Sequence, residues 1–184
     1  MSNARPIIQP ETAILLVVDV QDRLLPAIHE ADRCVEACRR MIEAAKVLDL
    51  PITVTEPYPA GLGPTCPTLK QCLGDAPLFT KTRFGACVEP VIEHLRQQDR
   101  PHVIVVGIEA HVCVMQTVLD LLRLGYIPFL CADAVSSRRP LDRDTAIARM
   151  RDGGAIVTTT ESVTFELLGQ AGTDTFKRIL GIVK

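Results

Sequence analysis

The sequence contains no tryptophan, two tyrosines and five phenylalanines, so an aromatic cage is not available to define a pocket. It contains no CxxC pair, and no histidine stands at zinc-finger spacing from its cysteines, which argues against a structural zinc site. Long apolar runs are missing as well: AILLVV, the run ahead of Asp19, falls far short of the roughly 20 residues a membrane helix needs. Neither sign of charge dominates. Twenty Lys and Arg against 22 Asp and Glu give a formal net charge of -2, which leaves no basic surface for nucleic acid and no acidic arm. The opening MSNARPIIQPET lacks the apolar stretch and small-residue cleavage pattern of a secretory leader.

What remains describes one domain, 1–184, in a chain that is 47% hydrophobic. A chain of this length buries a core without disulfide or metal staples. The seven cysteines are odd in number and show no pairing pattern. They read as reduced thiols in a cytoplasmic protein with no membrane association.

Short β-branched apolar runs alternate with helical patterns. Residues 13–19 (AILLVVD) form a strand buried on both faces. The stretch 32–48 reads as a helix with Val35, Cys38, Ile42, Ala45 and Leu48 on one face. Strands follow at 52–56, 78–81, 102–107, 127–133 and 155–160, with helices at 89–97, 113–124, 142–152, 161–169 and 173–184. Residues 57–75 hold four prolines and three glycines and read as one long loop. This alternation predicts a three-layer α/β/α domain on a doubly wound, six-stranded parallel sheet in the order 3-2-1-4-5-6. In that order the first and fourth strands are neighbours whose connections diverge, and a crevice opens at their C-terminal ends.

Three chemistry-bearing residues fall at that edge. Asp19 ends the first strand, Lys81 ends the third, and Cys113 follows the fourth after a short loop. Each has an ordinary role as well: a small buried hydrophobe for the cysteine, a turn residue for the aspartate, a solvated surface group for the lysine. Together they make a nucleophile, a base and a cation, the set that covalent catalysis needs. A position at or near a helix N-terminus and a nearby ammonium are expected to stabilise the Cys113 thiolate.

Five ordered motifs carry a family resemblance: LLVVDVQ at 15–21, TEPYPAGLGPT at 55–65, FTKTRFGA at 79–86, GIEAHVCVMQT at 107–117 and ADAVSSR at 132–138. On these the chain resembles the isochorismatase-like cysteine hydrolases, and most of all the isochorismatase-domain-containing proteins. The resemblance implies a Rossmann-like fold and a catalytic Asp19–Lys81–Cys113 triad. It implies a cis peptide between Ile108 and Glu109, and an oxyanion hole from the Glu109 and Cys113 N–H groups. It also implies a homo-oligomer, a dimer or larger.

Departures from the wider family matter for the substrate. The metal-binding Asp-x-His pattern of the nicotinamidases is replaced by EPYPAGLG, so no metal and no cofactor are expected. True isochorismatases lack the cysteine that this chain keeps. Gln21, Glu56 and Tyr58 lie on loops expected to rim the pocket, and His111 is expected to pack against it rather than act as the base. The reading is a hydrolase cleaving a C–N bond of a small amide or carbamoyl-type substrate through a thioester. Vinyl-ether hydrolysis and a lapsed, ligand- or partner-binding protein on the same fold are the alternatives.

Overall fold

The computed structural model describes residues 7–184; residues 1–6, part of the stretch read above for a leader, lie outside the described residues. Six strands form one parallel sheet: β1 (Ala13–Val18), β2 (Ile52–Pro57), β3 (Leu78–Lys81), β4 (His102–Ile108), β5 (Ile127–Ser136) and β6 (Ile156–Thr158). Their spatial order is β3-β2-β1-β4-β5-β6, as the alternation predicts. β1 and β4 are the central pair and every residue in both is buried, which is why they read as unbroken apolar runs. The two edges are shorter: β6 is half-buried, and β3 is largely open to solvent apart from the buried Lys81.

The strand period of two divides the core between the sheet's faces. Leu15 and Val17 of β1 point to one side with Ile104 and Val106 of β4. That side is covered by α1 (Ala31–Val47), α3 (Pro67–Leu73), α7 (Thr160–Leu168) and α8 (Asp174–Val183). Ile14, Leu16 and Val18 point to the other side with Val103 and Val105. There they meet α4 (Glu89–Gln98), α5 (Met115–Arg123) and α6 (Pro140–Asp152). On α1 the buried positions Cys34, Val35, Cys38, Met41, Ile42 and Ala45 follow the helical spacing expected of one apolar face.

Two sequence readings are corrected. The stretch 57–75 is not one loop: α2 (Pro59–Leu62) and α3 both form within it. Proline occupies the first position of each, where its missing N–H has no helical partner to lose. Leu69 and Leu73 then anchor α3 in the core. The fifth strand also runs on to Ser136, past the point where the apolar pattern stops. Among the described residues no helix is long and apolar enough to cross a membrane.

Candidate active site

β1 and β4 end side by side, with Val18 in register with Gly107. Gly107 has φ +129°, and a Cβ there would come 2.0 Å from the Val18 carbonyl oxygen. Only glycine allows so close a backbone approach. The next residue along β1 is Asp19, itself left-handed with φ +58°, a conformation that aspartate tolerates better than most residues. Its N–H donates to the Thr55 carbonyl of β2, which locks the turn.

The Asp19 carboxylate is fully buried. Lys81 Nζ donates to Oδ2 at 2.6 Å and Thr55 Oγ1 donates to Oδ1 at 2.7 Å. The Cys113 thiol lies near enough to the same carboxylate for the Asp19 charge to raise its proton affinity. The sheet order thus brings Lys81, 62 positions away in the chain, and the still more distant Cys113 to the side of Asp19. Lys81 Nζ further donates to the carbonyls of Arg83 at 3.1 Å and Phe84 at 2.8 Å. An ammonium has three protons, and all three are engaged. Lys81 thus positions Asp19 and acts on the sulfur through charge alone.

Cys113 does not sit at the N-terminus of α5. It lies within a π-helical turn, Ala110–Val114, that precedes that helix. Burial pushes its thiol up to about 12, and the adjacent Asp19 charge adds to the rise; Lys81 lowers it without prevailing. This rise runs against the lowering expected from the ammonium and the helix end. Burial likewise holds the Asp19 carboxyl above the usual carboxylate value, against the pull of Lys81. The resting site is a neutral thiol next to a carboxyl group of raised proton affinity.

The Ile108–Glu109 peptide bond is cis. The Glu109 backbone lies beside Cys113 and slightly offsets the rise in its thiol's proton affinity. The Glu109 side chain turns away, held by Arg138: Nε at 3.1 Å and Nη2 at 2.8 Å donate to its carboxylate, as does the Arg138 N–H at 3.0 Å. Burial alone raises the Glu109 carboxyl, but these Arg138 contacts outweigh it and leave it below the usual range.

The three residues expected at the rim and His111 divide. Gln21 is wholly buried, and its Nε2 donates to the Pro57 and Gly63 carbonyls at 3.0 and 2.6 Å. Glu56 is buried too, and its Oε1 accepts from the N–H and hydroxyl of Thr65 at 2.5 and 2.6 Å. Both brace the 57–65 segment from inside rather than line a rim. Tyr58 is 63% exposed and lines a hollow of about 410 Å³ with Lys81, Thr82 and Val88. His111 is half-buried, and its Nδ1 lies 2.9 Å from Ser137 Oγ.

Sequence reasoning missed Thr55, Arg138 and Thr117. Thr117 Oγ1 donates to the Cys113 carbonyl at 2.6 Å and accepts from the Ala86 N–H at 2.8 Å, tying the 84–86 loop to the cysteine. All three lie inside the quoted motifs, but nothing in their residue type marks a partner distant in the chain. Among the described residues no group of three or more His, Cys, Asp or Glu side chains could hold a metal ion.

Comparison with known proteins agrees with this architecture. An isochorismatase domain profile matches residues 13–162. The isochorismatase domain-containing protein 2 of Xenopus laevis is 39% identical over 94% of this chain and 83% of its own. The structure of the MAR1 ribonuclease of Caenorhabditis elegans superposes with a TM-score of 0.92 at 41% identity, covering 96% of this chain and 91% of that one. The YcaC gene product of Escherichia coli, described as an octameric hydrolase of unknown specificity, gives 0.87 at 26% identity over 92% and 85%. Sheet order, motif positions and these likenesses agree, and the chain belongs to the isochorismatase domain family.

Proposed function

We propose that the protein is a cysteine-nucleophile hydrolase that cleaves a C–N bond in a small amide or carbamoyl-type substrate. The observation that carries this reading is the Asp19 carboxylate, which holds Lys81 at 2.6 Å and meets the Cys113 thiol in one buried cluster. Asp19 removes the thiol proton as the sulfur attacks the substrate carbonyl carbon, forming an S–C bond. The Glu109 and Cys113 N–H groups face the oxyanion that develops. When the tetrahedral adduct collapses, the C–N bond breaks and Asp19 gives its proton to the leaving amine. A thioester remains. Asp19 then takes a proton from water, the hydroxyl adds to the thioester, and the thiol leaves with that proton restored.

This order of events suits a thiol that is neutral at rest. The proton moves only when the substrate is present, so the buried sulfur is not left as a reactive anion. The other cysteines serve packing: Cys38 and Cys131 are wholly enclosed in the core. Seven free thiols support a reducing compartment. The octameric relative supports a homo-oligomer.

An ammonia-release screen over small amides, ureides and carbamoyl compounds tests the reading on wild type and Cys113→Ala together. Turnover should fall by roughly a thousandfold or more in the variant, with the thermal midpoint retained. Full activity in Cys113→Ala on a substrate that the wild type turns over would end the cysteine mechanism. Because one relative is named a ribonuclease, the screen includes an RNA oligonucleotide. Cleavage of RNA alone would replace the C–N reading.

A further inference from the structure

A cavity of about 440 Å³ opens at the C-terminal end of β5, where α1 and α6 flank the sheet. Asp19, Lys81 and Cys113 take no part in its lining. Helix α1 contributes Arg33 and Arg40, and α6 contributes Arg143. The acids Glu30, Glu36 and Asp133 complete the charged wall.

The acids already have partners. Glu30 accepts from Arg33 at 2.7 Å. Glu36 accepts from Arg39 through two nitrogens at 2.7 Å each and from Arg40 Nε at 3.0 Å. Both oxygens of Asp133 are taken by Thr160, from its N–H at 2.9 Å and its hydroxyl at 2.6 Å.

The guanidinium groups are less complete. Each has five N–H donors in a fixed fork. Arg40 uses Nε on Glu36, and no other bond from its fork is found among the described residues. Arg143 donates Nη2 to the Ala132 carbonyl at 2.9 Å, and its Nη1 stands 3.8 Å from the exposed Asp144. Its Nε is buried with no hydrogen-bond partner among the described residues. Buried donors on a cation normally find an acceptor, so this guanidinium is left under-satisfied; its Nε is closed to solvent, and a ligand would reach the fork through the Nη groups. The lining carries three arginines and three acids, so selection rests on directed donors rather than on surplus positive charge.

We propose that this cavity is a second binding site, in which Arg143 and Arg40 grip a small multivalent oxyanion, a phosphate ester or a polycarboxylate. Glu36 holds the Arg40 fork and the Ala132 carbonyl holds that of Arg143, and the open N–H groups meet the ligand's oxygens. The site stands apart from the sulfur and does not depend on the hydrolase reading.

Calorimetric titration of the full chain with inorganic phosphate, and separately with citrate, at low salt and neutral pH tests this. Saturable binding should weaken at least about tenfold in Arg143→Gln or Arg40→Gln and remain in Arg123→Gln, a surface arginine outside the cavity. Tighter phosphate binding assigns a phosphate ester, and tighter citrate binding assigns a polycarboxylate. Two variants keep the test open if one does not fold, as circular dichroism would show. No saturable heat from either anion, or affinity unchanged in both cavity variants, or equally reduced in Arg123→Gln, overturns the proposal.

Discussion

In the proposed reaction the decisive side chain is Cys113, whose proton affinity is raised by burial and by the Asp19 charge. With its thiol pushed up to about 12, the thiolate fraction below that value grows about tenfold for each pH unit. Alkylation of Cys113 by iodoacetamide should therefore climb with that slope from neutral to mildly alkaline pH, as followed by peptide mass spectrometry. A plateau reached near neutrality would show a standing thiolate and contradict the raised affinity. The same shift bears on stability, and its sign is fixed. A thiol whose folded value exceeds its ordinary 9.0 stabilises the fold fully below pH 9.0, and that contribution is lost as pH climbs toward 12. At this scale the sequence was only partly legible. The motif residues Asp19 and Lys81 stand at strand ends and Cys113 follows one after a short loop, where a parallel sheet collects its chemistry. The inward roles of Gln21 and Glu56 were not visible, because both depend on carbonyl and hydroxyl partners that only the folded chain supplies.

Among the elements, the contact between β1 and β4 is the one that sets the geometry of the cluster. Gly107 lets β4 approach the Val18 carbonyl, and a register shift between Val105 and Gly107 accompanies its pairing with β5. Gly107→Ala would place a methyl group 2.0 Å from that oxygen and force the strands apart. The expected outcome is a destabilisation of about 3 kcal/mol or more, read as a lower urea midpoint. A midpoint equal to wild type would show that the strands can shift without cost. The strands and long helices could be read in the chain because their apolar periods are clear. The π-helical turn at Ala110–Val114 could not, since AHVCV carries no period that separates it from the first turn of α5. Helices α2 and α3 were hidden for the opposite reason. Proline and glycine mark breaks along a sequence, yet here Pro59 and Pro67 each begin a helix and Gly63 and Gly74 each end one.

For the molecule as a whole, the sheet order was recoverable from connectivity, since right-handed crossovers leave few arrangements for such an alternation. Assembly was not recoverable in the same way, because a surface that meets another copy has no period of its own. Phe84, Tyr58 and Leu141 are each more than 60% exposed, large apolar groups left at the surface of a single chain of 20.1 kDa. Light scattering coupled to gel filtration should report a mass of about twice that or more. A mass of one chain at micromolar concentration would refute the homo-oligomer. The fully occupied ammonium of Lys81 limits what the molecule can accept. It has no proton left with which to greet a carboxylate or phosphate arriving at the sulfur. Inhibitors that borrow their grip from a negative tail should gain nothing from this lysine, so the sensible first library of covalent probes is one of uncharged electrophiles.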